Sequence, residues 1–385
     1  MSDYQHPDDD AVSAILGGAV EQLDLPAEIL RRADLLHADI GTYLSVSLPG
    51  TADWNFYSQG SARIGTGVRG PRGFEWDLDS VAEAAIDKDQ IGKAELKQIV
   101  GDALRGYASS RADDDKLAPR SVDPGRRCWT LQYDGFHIDV LPGVGSADGP
   151  PGAIWITDRG LVRWQPSNPR GYASWFERRM KTEFDQRRVE MAKEAKVEIE
   201  DIPAWSIKTT LQRSVQVLKL HANSYFANDL DRRPPSCVIT TLAAKAYRGQ
   251  SSLADALVLI ASGMPRFVET DGGLWIVENP AHPGDNLADR WSAQPGATTQ
   301  FQPWLDDVRK TIEAAQQVRT GMPALVNTLA TRFDTTLLSK SAESFASRQS
   351  ARRDRGTLSV STTGALTAAA GGGTLVKPHT FHGRT

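Results

Sequence analysis

The sequence predicts an α+β protein whose strands lie in its first half and whose second half is helical. Two apolar runs, Arg127–Tyr133 and Phe136–Leu141, flank Asp134-Gly135, a dipeptide that strongly favours a tight hairpin turn. From Ser206 onward, apolar residues recur at helical spacing. The expected architecture is therefore a mixed sheet with flanking helices, followed by a helical domain.

The first predicted element is a long helix. Asp24–Ser47 carries apolar residues close to a 3.6-residue period, with Pro26 near its start, and Pro49-Gly50 ends it. A strand is expected at Glu75–Val81 and a helix at Ile91–Ala108. After the hairpin, the patterns predict a strand at Ala153–Thr157 and helices at Tyr172–Glu198, Ser206–Tyr225, Ser236–Tyr247, Asp255–Ser262 and Pro303–Gln317.

These elements group into four segments. We expect an N-terminal segment over residues 1–24, a strand-containing domain over 25–200, a helical domain over 201–345 and a flexible tail over 346–385. The tail is expected to be flexible because Ser359–Gly373 is rich in Ser, Thr, Ala and Gly and has little apolar surface to offset its ordering entropy.

Composition narrows the class of protein. With 385 residues, 40% hydrophobic and 24% charged, the chain resembles ordinary soluble globular proteins. No apolar run reaches the ~20 residues of a membrane-spanning helix, and Met1–Asp10 lacks the apolar core of a secretory signal. Cys128 and Cys237 are too few for a disulfide framework or a cysteine-rich zinc site. We therefore expect a cytoplasmic protein that does not bind a membrane.

The net charge argues against bulk nucleic-acid binding. The 44 Lys and Arg residues are outnumbered by 48 Asp and Glu residues, which gives a formal charge of −4. Proteins that bind duplex DNA usually carry a basic excess, because phosphate neutralisation supplies much of their affinity. Strong sequence-specific nucleic-acid binding is therefore not expected, whereas a local anion pocket is compatible with this charge.

Three short segments carry residues that belong together chemically. Gly60-Ser61 follows an extended stretch, Asp77 and Asp79 come 16 and 18 residues after Ser61, and Asp139 lies in the second strand of the predicted hairpin. Residues i and i+2 of a strand project to the same face, so Asp77 and Asp79 are expected side by side. Their negative charges repel one another unless a cation lies between them.

The joint pattern predicts a phosphoryl-transfer site. A third carboxylate, Asp139, would complete an oxygen-rich site suited to Mg²⁺. Two ions about 3.5–4 Å apart can activate an attacking hydroxyl and stabilise a leaving pyrophosphate. Gly60 would let the backbone approach a phosphate, and the Ser61 hydroxyl with neighbouring N–H groups would hold the β- and γ-phosphates. Each segment alone is common by chance, and the prediction rests on their combination.

These residues resemble the signature of the DNA polymerase β-like nucleotidyltransferase superfamily. More narrowly, the runs Tyr57–Thr66 and Glu75-Trp-Asp-Leu-Asp79 resemble those of bacterial cGAS/DncV-like nucleotidyltransferases, the cyclic oligonucleotide synthases of anti-phage CBASS systems. The resemblance covers most of residues 25–340, and a turn at Arg69–Gly73 can absorb a longer gap between the two motifs. It implies a bilobed fold, with a nucleotidyltransferase core and an oligoadenylate-synthase-like helical C-terminal domain.

The resemblance also implies roles for the carboxylates. Asp77 and Asp79 would bind both metal ions, and Asp139 would help to deprotonate the attacking ribose hydroxyl through its metal. His137 lies two residues before Asp139 and can share its strand face. For His137, an ordinary core or surface histidine is favoured over a catalytic base.

Two further residues are implied as contacts of the donor triphosphate. On a helical wheel, Lys208, Gln212, Lys219 and Asn223 form one polar stripe, as expected for the wall of a cleft. By resemblance, Lys219 binds the triphosphate together with Ser236, which is expected at the N-cap of the next helix. A solvated helix face for Lys219 and an ordinary cap for Ser236 remain open alternatives.

The function implied by these observations is enzymatic. We expect a Mg²⁺-dependent nucleotidyltransferase, with Mn²⁺ as an alternative cation, that joins NTPs into a cyclic di- or trinucleotide and releases pyrophosphate. ATP is expected among the substrates, and an effector would respond to the product. Two alternatives remain open: a transferase that adds nucleotides to an RNA end or a protein side chain, and a non-catalytic scaffold of the same fold.

The C-terminus carries a separate expectation. Thr374–Thr385 places apolar and aromatic residues beyond the Gly-rich segment, as in peptides that are presented to a partner. It resembles the termini that a ubiquitin-transfer-like enzyme conjugates to targets in many CBASS operons. A disordered end without a partner is the alternative.

Overall fold

The structure of the chain is a computed structural model. It describes residues 10–48, 53–68, 76–112, 115–158, 160–360, 366–368 and 374–376. The expected turn at Arg69–Gly73, Glu75 of the second motif and the chain end from residue 377 onward lie outside the described residues.

The chain divides into two compact units. One, here called the sheet unit, comprises residues 23–212 and 268–293, and the other, the helical unit, comprises residues 1–22, 213–267 and 294–385. The expected boundary at residue 24 lies two residues from the division after Gln22, whereas the boundary expected at residue 200 lies after Gln212. Residues 1–22 belong to the helical unit because their first helix packs there, and residues 268–293 return to the sheet unit.

The sheet unit contains nine strands and five helices that lie wholly within the described residues. Its strands are β1 (Trp54–Gln59), β2 (Trp76–Ala84), β3 (Ser121–Pro124), β4 (Trp129–Gln132), β5 (Phe136–Gly145), β6 (Ile154–Thr157), β7 (Trp164–Ser167), β8 (Glu269–Asp271) and β9 (Leu274–Ile276). Its helices are α2 (Ala27–Ser47), α3 (Gly60–Arg63), α4 (Lys93–Ser109), α5 (Pro169–Ala195) and α9 (Asp289–Ser292).

The seven strands β1–β7 form one mixed sheet. Its order is β1-β2-β5-β4-β3, with β6 paired to β5 and β7 paired to β6. Only β2 and β5 run parallel, whereas the other pairs in this sheet are antiparallel. The predicted hairpin is confirmed as β4–β5, and Gly135 has the positive φ that its tight turn requires. Strands β3 and β7 were not predicted.

Alternation along the strands gives the sheet two different faces. On β2, Trp76, Leu78 and Ala82 are buried in one core with apolar residues of α2 and α4. Phe136 and Ile138 of β5 belong to the same core. The residues between them therefore project to the opposite face, because successive side chains of a strand alternate. Because one face of the sheet must be buried, the pairing register of the strands is fixed, and with it the positions of the side chains on the opposite face.

The helical unit is built mainly from helices. It contains α1 (Ala11–Glu21), α7 (Ser236–Ala246), α8 (Leu253–Gly263), α10 (Phe301–Gln317), α11 (Met322–Leu329), α12 (Thr335–Asp354) and the short strands β10 (Leu358–Val360), β11 (Leu366–Ala368) and β12 (Thr374–Leu375). Helix α6 (Thr210–Tyr225) crosses the division between the units after Gln212. It begins four residues later than predicted, because Thr209 and Gln212 exchange hydrogen bonds at its start.

The expected flexible tail over 346–385 is wrong in its first part. Helix α12 continues to Asp354, and Gln349 is buried along it. Strand β10 follows, with Leu358 and Ser359 buried, and it pairs with both β11 and β12. The composition of the tail gave no indication that α12 and β10 bury side chains. Among the described residues, no helix combines the length and the apolar character needed to cross a lipid bilayer.

Candidate active site

The predicted carboxylates meet where β2 and β5 run side by side. In this parallel pair Asp77 lies opposite His137, and Asp79 lies opposite Asp139. All four residues alternate with buried core residues, so they occupy the face of the sheet that α2 and α4 leave open. The structure thus brings the three predicted aspartates together and adds His137 to them.

Asp79 has the most perturbed electrostatics of this group. Burial and, to a smaller extent, the neighbouring negative charges of Asp77 and Asp139 together raise its pKa to about 7, against opposing effects of His137 and Arg127. Burial and like charge both disfavour an ionised carboxylate, and a bound cation would relieve both. The electrostatics of this face therefore fit a divalent cation.

The side-chain donors are also close enough to share one ion. Ligand atoms of Asp77, His137 and Asp139 all lie within 4.8 Å of one another. The Nε2 atom of His137 is 3.3 Å from Oδ1 of Asp77, whose side chain is 61% exposed. Carboxylate oxygens with one imidazole nitrogen form a donor set that binds divalent cations.

Asp139 is held in place from the neighbouring strand. Thr130 on β4 is its cross-strand partner, and the Thr130 hydroxyl donates a 2.5 Å hydrogen bond to Oδ1 of Asp139. The Cys128 thiol lies 3.8 Å from Oδ2, and burial raises the pKa of this thiol, with a further contribution from the Asp139 charge. A short bond to an ionised oxygen is among the stronger hydrogen bonds in proteins, so it fixes the orientation of the carboxylate.

Gly60-Ser61 lies at the end of β1, beside the same carboxylates. Strand β1 ends at Gln59, which pairs with Asp79, and α3 begins at Gly60. Gly60 has φ +67°, and a Cβ at this position would lie 2.1 Å from Oδ2 of Asp79. Only glycine satisfies both constraints, and the neighbour that requires it is the Asp79 carboxylate. The approach of the Gly60 backbone to a phosphate stays a prediction.

The loop after α3 is anchored by two side chains that precede or begin α6. Lys208 donates a 3.1 Å hydrogen bond to the carbonyl of Gly65, and Gln212 donates a 3.0 Å bond to the carbonyl of Ile64. The backbone N–H of Thr66 donates to the Ser61 carbonyl at 2.9 Å. The conformation of the Gly60–Thr66 segment is therefore set by contacts within the sheet unit.

Lys219 and Ser236, the two predicted triphosphate contacts, lie in the helical unit. The Lys219 side chain is only 3% exposed, which excludes a solvated helix face. Ser236 is exposed and is the first residue of α7, whose N-cap is Pro235. The expected N-cap role of Ser236 is therefore wrong: the chain enters the helix one residue earlier. The predicted polar stripe also loses Lys208, which precedes α6.

The chain is similar in sequence to known enzymes. No profile of a known protein family matches the chain. A c-di-GMP synthase from Roseivirga ehrenbergii is 32% identical over 263 residues, which are 67% of this chain and 67% of the relative. The cyclic dinucleotide synthase CdnG of Bradyrhizobium diazoefficiens is 28% identical over 374 residues, which are 89% of this chain and 86% of the relative. The chain belongs to the CD-NTase family.

Solved structures agree with this assignment at the level of the fold. The B. diazoefficiens CD-NTase CdnG in complex with GTP matches with a TM-score of 0.68 at 23% identity, over 88% of this chain and all of that one. As a CD-NTase, the chain is a nucleotidyltransferase and a synthase of cyclic oligonucleotides. The predicted family, fold class and enzyme class are confirmed.

Sequence reasoning did not assign Thr130 or His137 to the site of this CD-NTase. It placed Lys208 and Gln212 on the wall of a cleft, but it did not predict their contacts with the loop that follows Ser61. For Thr130 a signal existed, because it lies as far before the Asp134-Gly135 turn as Asp139 lies after it. A two-residue hairpin fixes that pairing. His137 carried the same alternation signal as Asp139. The contacts of Lys208 and Gln212 join segments more than 140 residues apart, and no local pattern indicates them.

Proposed function

We propose that this CD-NTase joins nucleoside triphosphates into a cyclic dinucleotide and that GTP is one of its substrates. Support for a guanine nucleotide comes from two relatives, one named a c-di-GMP synthase and one solved in complex with GTP. ATP, the substrate expected from the sequence, becomes the second nucleotide to test. In each of two steps a ribose hydroxyl forms a bond to an α-phosphorus, the α–β phosphoanhydride bond breaks and pyrophosphate leaves.

In this proposal Asp77, Asp79 and Asp139 hold divalent cations, with Mg²⁺ as the working ion. When bound, the cations would supply positive charge to the attacking and leaving oxygens. The chain itself supplies preorganisation, since parallel pairing of β2 and β5 sets the spacing of the carboxylates before any substrate arrives. Thr130 keeps the Asp139 carboxylate in one orientation.

The remaining predicted residues are assigned to the donor nucleotide. Gly60 and Ser61 would receive the triphosphate, because backbone at Gly60 carries no side chain and the Ser61 hydroxyl lies in the adjoining short helix. Lys219 and Ser236 are proposed as further triphosphate contacts, one by its charge and one by its hydroxyl. Lys208 and Gln212 would act indirectly, because they hold the loop that follows Ser61.

The observation that carries the proposal is the juxtaposition of Asp79, Asp139 and Gly60 on one face of the sheet. The test is incubation of the full chain with Mg²⁺ and single or paired NTPs, followed by mass spectrometry of the products. We expect a cyclic product that contains guanine. Asp77→Asn should lower its rate by roughly 10²–10³-fold or more, since the lost charge is one of those that would hold the cations beside the reacting phosphate.

Asp102→Asn provides a matched control, because Asp102 is an exposed carboxylate on α4 that pairs with Arg105. It should leave the rate unchanged. Linear or macromolecule-bound products would favour the transferase alternative. Absence of pyrophosphate release with every NTP mixture, or equal rates for Asp77→Asn and the unmodified chain, would contradict the proposal.

The biological setting is proposed on the resemblance alone. The product would act as a second messenger in anti-phage defence and would be sensed by an effector. Conjugation of the C-terminus by a ubiquitin-transfer-like enzyme stays a prediction, and the final residues on which it rests lie outside the described part of the chain.

A further inference from the structure

We propose that His137 is a nitrogen ligand of the divalent-cation site, which makes this site a mixed carboxylate–imidazole site. The inference rests on the proposed function, because it assumes that Asp77 and Asp139 hold a cation. It goes further by assigning a fourth side chain and a preference among cations. The sequence alone favoured an ordinary histidine at this position.

The first step is the backbone. Strand β5 pairs with β2 on one side and β4 on the other, and the neighbours of His137, Phe136 and Ile138, are fully buried on the core face. The imidazole is therefore confined to the carboxylate face, directly opposite Asp77 in the register. His137 occupies this position through the same constraints that place the aspartates.

The second step is distance. Two ligand atoms on one cation lie no more than about twice a metal–ligand bond apart, roughly 4–4.6 Å for bonds of 2.0–2.3 Å. The donor atoms of Asp77, His137 and Asp139 all fall within 4.8 Å of one another, and the His137–Asp77 pair is separated by 3.3 Å. Small side-chain rotations would bring all three onto one ion.

The third step is ligand chemistry. Mg²⁺ strongly prefers oxygen ligands, whereas divalent first-row transition metals bind nitrogen ligands more readily, with Mn²⁺ at the weak end of their affinity order. A site with one imidazole should hold Mn²⁺ more tightly, relative to Mg²⁺, than the same site without it. Removal of His137 should therefore weaken Mn²⁺ binding more than Mg²⁺ binding.

The decisive measurement is electron spin-echo envelope modulation of Mn²⁺ bound to the full chain without nucleotide. We expect modulation from a directly coordinated ¹⁴N, its replacement by the ¹⁵N pattern after labelling with ¹⁵N-histidine, and its loss in His137→Gln. His282→Gln serves as the control, because His282 is a partly exposed histidine in a loop of the same unit and its replacement should leave the signal intact. Mn²⁺ affinity should fall about tenfold in His137→Gln.

The outcomes separate this inference from the proposed function. If the Mn²⁺ signal lacks nitrogen coupling, or keeps it in His137→Gln, His137 is not a ligand, while a product that depends on Asp77 would leave the synthase proposal standing. If His137→Gln lowers the Mg²⁺- and Mn²⁺-supported rates equally, its role is structural and the inference is overturned. If Asp77→Asn alters neither Mn²⁺ binding nor product formation, the proposed function itself fails.

Discussion

Thr130 and Asp139 form the most directly testable pair at the scale of single residues. The hydroxyl-to-carboxylate distance of 2.5 Å joins adjacent strands of one hairpin. Hydrogen bonds to charged groups are typically worth about 1.5–3 kcal/mol. We therefore regard Thr130 as a positioning residue: it acts on the reaction through the orientation of Asp139.

Replacing Thr130 by valine tests this role, because valine keeps the shape of threonine and removes the donor. We expect kcat for product formation to fall about 10–100-fold while KM for the NTP stays nearly constant. Thr130→Ser should restore most of the rate. Cys128→Ala is the neighbouring control, since its 3.8 Å contact with Asp139 is weak. A valine variant with unchanged kcat would refute the positioning role.

Sequence reasoning reached Asp77, Asp79 and Asp139 because each signal is local. Two aspartates share a strand face by alternation, and the hairpin places the third on the next strand. The same reasoning misplaced the start of α6, where side-chain bonds between Thr209 and Gln212 set the first helical turn. It also missed β3 and β7, which are only four residues long and whose pairing partners are not apparent from local patterns.

At the scale of elements, one partly buried polar cluster of the helical unit joins α6, α10 and the turn between α11 and α12. Asp307 of α10 receives hydrogen bonds of 2.6 and 3.0 Å from Arg332 and lies 3.3 Å from Nε2 of His221 on α6. Trp304 donates to Nδ1 of the same histidine at 3.1 Å. With Nδ1 occupied as an acceptor, His221 fits the cluster in its neutral form, with the proton on Nε2.

This cluster predicts how the stability of the helical unit depends on pH. The hydrogen bond from His221 and those from Arg332 hold the pKa of Asp307 well below its usual range, and burial lowers the pKa of His221. Both shifts lower the folded-state pKa, so the stabilisation is present at neutral pH. The loss begins below about pH 6.5, where His221 of the unfolded chain binds a proton that the folded chain resists, and it continues below about pH 4, where the same holds for Asp307.

Asp307→Asn should therefore unfold more easily at pH 7, by about 1 kcal/mol, a modest figure because the carboxylate is partly exposed. Its stability should also change less between pH 4 and pH 2 than that of the unmodified chain, because the titration of Asp307 is removed. Denaturant titrations monitored by tryptophan fluorescence give both quantities. Asp306→Asn removes the adjacent, more exposed pair with Arg309 and should have little effect. Equal pH profiles for the two variants would rule out the cluster as the cause.

At the scale of the whole molecule, the helical unit combines the two ends of the described chain. Helix α1 buries Ile15, Leu16 and Val20 and packs against α12, whose Ser341 donates a 2.8 Å hydrogen bond to the Ile15 carbonyl. Close packing at this contact depends on Gly18, because a Cβ there would lie 2.3 Å from Oγ of Ser341. A Cβ added at Gly17, one residue earlier, would have no neighbouring atom nearer than 3.9 Å.

Alanine substitutions at these two adjacent glycines should affect the stability of the unit in opposite directions. Gly17→Ala should be neutral or stabilise the unit by up to about 1 kcal/mol, because alanine is the better helix former. Gly18→Ala should destabilise it by roughly 1–3 kcal/mol, since the new methyl group displaces the Ser341 hydroxyl from its bond. Hydrogen exchange should show the loss of protection in α1 and α12 and none in β2. If Gly18→Ala instead stabilised the unit, the close contact between Gly18 and Ser341 would be disproved.

The parallel pairing of β2 with β5 also affects when the active site forms during folding. Asp79 and Asp139 are register partners although 60 residues separate them in the chain, and the β3–β4–β5 meander must be placed before they meet. Long-range pairing of this kind forms slowly, because the entropy of closing the intervening loop is lost first. Catalytic competence should thus emerge only late in refolding, when the central strands dock, and recovered activity should report on native topology rather than on secondary structure.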